Sequence, residues 1–289
     1  MKSPDFRRIR LKTSCPAQQA APGRKPRVDH QSHDWESNRP RTVVKTYMQN
    51  TPESIDFFAK LEQSLSPKRF AGYQASGSRL DAFAKYVWNL HICESLCPGF
   101  QLLEVAFRNK IHSQIGSVIG DKTWLLNQHA IIYPAEQEVI AKAKQTLHLN
   151  RSPLTEDYLI SEMKFGFWTS LLNTRYERLW PKIIAGVFPN MPKAMRTRAD
   201  ASICMNEVRK LRNAALHHHS IWHWRDLKDR HTQMRLLIGY ICTPSAAVAA
   251  EIDRFPAVYS SGMGECQKIT AKILKSVQKP EAPEQAVAS

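Results

Sequence analysis

The sequence lacks several features that would assign it to a familiar class. No run of about 18 uncharged apolar residues occurs, which excludes a transmembrane helix. The opening residues, MKSPDFRRIRLK, have no apolar run after their charges, so we expect no secretory signal peptide. The six cysteines are scattered, which is typical of reduced thiols in a cytoplasmic protein and not of a disulfide framework. Glycine-rich phosphate loops, dinucleotide fingerprints, nucleophile elbows and zinc-protease motifs are also absent.

Strand patterns are absent as well, and helical spacing takes their place. Alternation of apolar and polar residues never extends beyond about four residues. Apolar residues make up 43% of the chain, enough for a sizeable core, and they recur three or four positions apart. The sequence therefore predicts an all-α protein. The predicted helices begin at Pro52 and include 134–149, two or three short helices within 155–188, Lys193 to His217, 226–241, 245–254 and 264–278. Pro98-Gly99 is predicted to break a helix.

The positive charge is unevenly distributed. The net charge is +15, and residues 1–47 contribute eleven basic and four acidic side chains. We expect this proline-rich segment to be a disordered basic leader. It is either an arm that binds nucleic acid or a segment without a role, and Met48 could then be the natural start. A folded domain is expected over 48–260, followed by a C-terminal helix and a frayed tail over 261–289.

One segment combines residues suited to phosphodiester chemistry. Arg212, Asn213 and His217 lie within six residues at the end of an amphipathic helix. An arginine keeps its charge and can stabilise a phosphate, and a histidine can hold or move a proton near neutral pH. Such a set suits cleavage of RNA, whose ribose 2′-hydroxyl is its own nucleophile, without any metal. The alternative is a polar helix end whose cations favour the helix dipole.

Metal binding has weaker support in the sequence. Cys93 and Cys97 share a helical face, and His219 and His223 have the same spacing. Two thiolates do not make a four-ligand zinc site, and no acidic residue lies between the histidines. We therefore expect neither a metal nor another cofactor.

Several motifs together resemble a known family. They are Ser66-Pro67-Lys68-Arg69-Phe70, Tyr86-Val87-Trp88-Asn89, Leu103-Glu104-Val105-Ala106-Phe107-Arg108-Asn109, Lys164-Phe165-Gly166-Phe167-Trp168, Leu179-Trp180-Pro181 and Leu211-Arg212-Asn213 to His218. In this order, over most of residues 50–260, they resemble the Abi-like (abortive infection, AbiD/F-type) bacterial family. The arginine-asparagine-three-residues-histidine spacing resembles the signature of HEPN domains.

The resemblance implies a HEPN-like helical bundle with additional helices and a metal-independent endoribonuclease. It implies a homodimer that acts on RNA in phage defence, with an antitoxin or regulator as a further partner and no membrane association. By position, Arg212 would stabilise the pentavalent phosphorane, and His217 would act as acid, base or phosphate-orienting group. Asn213 would position the substrate or the histidine. His218 would support this set, and Arg209 and Lys210 would contact RNA.

A second polar group precedes this segment in the chain. Glu104, Arg108 and Asn109 follow the predicted break, and Glu104 and Arg108 have the spacing of an intrahelical ion pair. They either support the main motif and contact RNA, or form an ion pair that only fixes helix packing. For the whole chain, the alternative to a nuclease is a non-catalytic helical module that binds RNA or a protein partner.

Overall fold

A computed structural model describes residues 52–74, 77–127 and 133–277. Every regular element within these ranges is helical, so the predicted all-α class is confirmed. The leader predicted over 1–47 and the tail after Val277 lie outside the described residues. Within the described ranges, no helix is both long enough and apolar enough to cross a lipid bilayer.

The helices follow one another with short connections. In chain order they are α1 (Pro52–Leu65), α2 (Pro67–Gln74), α3 (Arg79–Ile119), α4 (Pro134–Leu149), α5 (Glu156–Glu162), α6 (Phe165–Ser170), α7 (Trp180–Val187), α8 (Arg198–Leu216), α9 (Leu227–Ile241), α10 (Thr243–Glu251) and α11 (Phe255–Val277). Two 3-10 turns, Thr174–Tyr176 and Lys193–Met195, precede α7 and α8.

The longest of these helices, α3, organises the fold. It has 41 residues, and at 1.5 Å per residue it extends over roughly 60 Å. A capping box starts it, in which Asp81 N–H donates to Ser78 Oγ and Ser78 N–H donates to Asp81 Oδ2, both at 3.2 Å. Gly120 ends it with a φ of 74°, a left-handed conformation that favours glycine. Helices α2, α7, α8, α9 and α11 all pack against α3.

The predicted break at Pro98-Gly99 is wrong, because α3 continues through both residues. Proline has no N–H for the preceding turn, which usually disrupts a helix. Here the buried stripe runs unbroken on both sides of Pro98, with Leu96 and Phe100 almost fully enclosed. Gly99 also lies close to α9, since a Cβ added there would be 2.4 Å from Met234 Cε. Burial against other helices thus outweighs the local signal.

Two apolar clusters form the core. The larger one centres on the middle of α3 and on α6 to α9, with Trp168, Trp180 and Phe107 fully enclosed. The smaller one joins α1, α2 and the start of α3, around Phe58 and Phe70. Trp222, in the connection between α8 and α9, packs against both clusters. Trp222 therefore fixes the connection between α8 and α9 to the core, close to the end of α8.

Helix α8 carries the predicted motif and begins later than expected. Thr197 accepts a hydrogen bond from Asp200 N–H at 3.1 Å and starts the helix at Arg198, whereas Lys193 lies in a 3-10 turn. Val208 and Leu211 are fully buried. Ile203, although apolar, is 57% exposed and points away from the core.

The predicted boundary at residue 261 falls inside a helix. Helix α11 begins at Phe255 and packs along α3, so it belongs to the same fold as the preceding helices. Gly262 interrupts its helical backbone with a φ of 62° and a ψ of −156°. A kink at Gly262 therefore lies within α11, one residue after the predicted boundary.

Candidate active site at the end of helix α8

The end of α8 turns sharply at its three histidines. His218 N–H donates to Ala215 O at 3.3 Å, and His219 N–H donates to Ala214 O at 2.9 Å. These bonds form a Schellman motif, whose turning residue is left-handed. That residue is His218, with a φ of 61°, a conformation that histidine adopts more readily than most residues. The imidazoles of His217, His218 and His219 all lie at the solvent-exposed surface as a result.

Arg212 lies a little more than one turn earlier and is half-buried. Its Nη2 lies 3.5 Å from Glu104 Oε2 on α3, and its Nη1 donates to Asn213 Oδ1 at 3.3 Å. Its Nε is shielded from solvent and has no hydrogen-bond partner among the described residues. The guanidinium therefore makes one long ion pair, and its exposed part, not Nε, is what a phosphate could reach.

Arg212 is not a freely exposed residue at the helix surface. Its side chain is only 27% exposed, and the side chain of Glu104 is 20% exposed. Removal of the guanidinium would leave a partly buried carboxylate without its cation, so substitution at this position also affects stability. His217 differs, since it is exposed and its backbone N–H, not its ring, bonds to Asn213 O at 2.9 Å.

The second polar group does not form the expected intrahelical pair. Among the ion pairs between described residues, Glu104 contacts Arg212 and not Arg108. Arg108 Nε is shielded from solvent and makes no hydrogen bond within the described ranges. Asn109 is exposed and lines an open, largely apolar groove of about 650 Å³ beside α9 and α10. The structure thus brings Glu104 to the motif, while Asn109 borders a different surface feature.

The two predicted RNA contacts have acidic or polar neighbours. Arg209 Nε donates to Asn206 Oδ1 at 3.2 Å. Lys210 is exposed and pairs with Glu207 at 2.7 Å, and Glu207 also pairs with Arg230 at 2.8 Å. Exposed ion pairs of this kind contribute little and exchange readily with solvent, so the Lys210 ammonium stays accessible to a phosphate.

The proposed metal candidates remain separate small groups. Within the described ranges, no three or more histidine, cysteine or acidic side chains are arranged to hold a metal ion. Cys93 and Cys97 lie on one face of α3, and the Cys97 thiol donates to Cys93 O at 3.3 Å. Burial, with a further contribution from Cys97, raises the pKa of the Cys93 thiol to about 11, so this thiol stays protonated at neutral pH.

Asn89, which ends one of the quoted motifs but was given no role from the sequence, contributes to this region. It lies on α3 and is only 2% exposed. Its Oδ1 accepts hydrogen bonds from Ile221 N–H at 2.7 Å and Trp222 N–H at 3.1 Å, and its Nδ2 donates to His219 O at 3.3 Å. One sequence signal could have found it: an amide at position 89 interrupts an apolar stripe that continues at Ile92 and Leu96. A polar residue in such a stripe needs buried partners.

The arrangement combines three chemical capacities. Arg212 offers a partly exposed permanent cation, exposed imidazoles at 217–219 offer proton transfer, and exposed Lys210 offers charge for a polyanion. No carboxylate cluster or thiolate pair suited to a metal accompanies them in the described part of the chain. This set matches what acid–base cleavage of a phosphodiester requires from side chains alone.

Comparisons with known proteins identified no relative of this chain. The chain matches no family model, no curated protein and no solved structure. The resemblance to the Abi-like family therefore depends on the motifs quoted above.

Proposed function

We propose that this protein is a metal-independent endoribonuclease of the abortive-infection type, with Arg212, Asn213 and His217 at its active site. The observation that carries the proposal is the end of α8, where a partly exposed guanidinium in a long ion pair is followed by imidazoles that the Schellman turn exposes. The multi-motif resemblance supports the same assignment.

The proposed reaction needs only RNA and these side chains. The ribose 2′-oxygen attacks the adjacent phosphorus as its proton passes to a base, and the bond from phosphorus to the 5′-oxygen breaks. The leaving 5′-oxygen takes a proton, which gives a 2′,3′-cyclic phosphate and a 5′-hydroxyl. His217 acts as acid or base, and Arg212 stabilises the extra negative charge of the phosphorane. Asn213, which accepts from Arg212 Nη1, orients the guanidinium.

The remaining polar residues are assigned supporting roles in this proposal. Glu104 orients Arg212 through their 3.5 Å contact, and His218 sets the backbone turn. Arg209 and Lys210 are assigned to the RNA backbone, and Arg108, whose Nε is shielded from solvent, supports the site from within the helix packing. Asn109 would contact the RNA only if the RNA strand extended along the groove that Asn109 lines. A homodimer that acts in phage defence follows from the resemblance alone.

A cleavage assay in excess chelator tests the proposal. We expect purified protein to cleave structured RNA, and His217→Ala to lose about a hundredfold or more in kcat. His148→Ala is the matched control, because His148 is another exposed histidine near a helix end. Equal cleavage by the wild type and by His217→Ala would sink the proposal. In cells, induction of the wild type should arrest growth, whereas induction of His217→Ala should not.

A second function is favoured by one specific contact. The Arg212–Glu104 ion pair already neutralises the cation that catalysis needs, which suits a non-catalytic helical module that binds RNA or a protein partner. This alternative predicts salt-dependent RNA binding with no turnover by the wild type. Gel-based binding and cleavage measured on the same RNA separate the two functions.

A further inference from the structure

We infer that Asn89 is a positioning residue for the histidines at the end of α8, an inference that depends on the proposed function. The positions of the three imidazole rings depend on what holds the chain that carries them. Since His217, His218 and His219 are exposed, no core packing holds their side chains. Their location is set by the backbone, which is anchored on one side by the two Schellman hydrogen bonds to Ala214 and Ala215.

The second anchor is Asn89. Three of its hydrogen bonds link it to His219 O, Ile221 N–H and Trp222 N–H, so this anchor begins at the last of the three histidines. The segment from the end of α8 at Leu216 to His219 is too short to move independently of α8 and Asn89. The helix that carries Arg212 and the segment that carries the histidines are thus both tied to α3, one through Glu104 and the other through Asn89.

The chemistry of this anchor requires a carboxamide. The site needs two accepted hydrogen bonds and one donated hydrogen bond, and asparagine supplies all three from one neutral group. An aspartate would accept the two N–H groups but would place a buried carboxylate against His219 O. Trp222 strengthens the anchor, because its ring lies beside Trp88 at 6.3 Å and below Lys85 at 5.5 Å.

The test compares Asn89→Asp and Asn89→Leu with wild type in the full chain. We expect kcat for RNA to fall by about tenfold or more in Asn89→Asp and by about a hundredfold in Asn89→Leu, because small displacements of catalytic groups have effects of this size. The KM should change by less than about threefold, since the RNA-binding cations are untouched. Ser95→Ala is the matched control, because Ser95 is also buried on α3 but bonds only within α3, to Ile92 O at 2.8 Å.

A spectroscopic readout separates this inference from the proposed function. In both Asn89 variants, the imidazole resonances of the three histidines should shift. Amide hydrogen exchange at Ile221 and Trp222 should accelerate in Asn89→Leu, which has no acceptor, and change less in Asn89→Asp, which keeps one. If the wild type does not cleave RNA, the nuclease proposal fails, and these two signals alone decide whether Asn89 fixes the segment. Unchanged histidine signals, or a loss of kcat that Ser95→Ala reproduces, would overturn the inference.

Discussion

At the scale of single residues, the Arg212–Glu104 pair joins the candidate site to the central helix. Both side chains are partly buried, so each would be costly to leave without its partner. The pair also shows why position alone is a poor guide to function. The same contact that could orient a catalytic guanidinium could serve stability alone, and only separate measurements of stability and activity distinguish these roles.

A double-mutant cycle measures how much the Arg212–Glu104 pair contributes to stability. We expect Arg212→Ala to lower the free energy of unfolding by about 1–2 kcal/mol in urea titrations. The coupling energy between Arg212→Ala and Glu104→Ala should be about 1 kcal/mol. The Lys142–Glu138 pair is the control: at 2.6 Å it is shorter, but it is exposed, so its coupling should be smaller. A coupling near zero for Arg212 and Glu104 would show that the contact does not hold the guanidinium in place.

The cysteines provide a second prediction at this scale. Burial raises the pKa of the Cys93 thiol to about 11, whereas hydrogen bonds from the Ser245 side chain and backbone lower the pKa of the Cys242 thiol. The thiolate is the reactive form, so Cys242 should become reactive at a lower pH than Cys93. At about pH 8, iodoacetamide should label Cys242 about tenfold faster or more, as measured by peptide mass spectrometry. Ser245→Ala should reduce this difference, and equal labelling would contradict the assignment.

At the scale of elements, α3 shows how burial can override a local signal. The break predicted at Pro98-Gly99 follows correctly from the missing N–H of proline, and the isolated segment would be expected to bend or end there. The continuous stripe of buried residues keeps it helical. By contrast, Pro134–Leu149 was predicted with its observed bounds, because its proline lies in the first turn, where no N–H is needed.

This difference predicts opposite effects for two proline substitutions. Pro98→Ala restores a donor within α3 and should raise the free energy of unfolding by about 1–2 kcal/mol, after the entropy gained by the unfolded chain is subtracted. Pro134→Ala, the control at the start of α4, should be neutral or slightly destabilising. Urea denaturation of the two variants checks both values. A loss of stability in Pro98→Ala would mean that the proline shapes α3 in a way that the packing requires.

The end of α8 is a second case at this scale. The sequence predicted Arg212, Asn213 and His217 on one helix, and α8 does contain the first two. His217 is instead the C-terminal cap, and a left-handed His218 turns the chain away. A helical wheel extended through the histidines therefore gives a wrong picture of their directions, since helix spacing no longer applies after Leu216.

At the scale of the whole molecule, the net charge of +15 divides into two parts. Residues 1–47 carry +7 and lie outside the described residues, and residues 48–289 carry 30 basic and 22 acidic side chains. On the interpretation that the leader has no role, a chain of residues 48–289 should bind and cleave RNA within about threefold of the full chain. Filter binding over a range of salt concentrations checks this. A drop of about tenfold or more, with a shallower salt dependence, would instead identify an RNA-binding arm.

The sequence by itself determined the all-α class, the positions of most helices and the group of Arg212, Asn213 and His217 near one helix end. These features depend on spacing over a few residues, which sequence records directly. The tertiary structure decided that α3 is continuous, that Ile203 faces outward, that Glu104 contacts Arg212 and that Asn89 holds the chain after the histidines. Each of these depends on contacts between residues about 100 or more positions apart, or on which face of a helix finds a neighbour, and local periodicity carries no information about either.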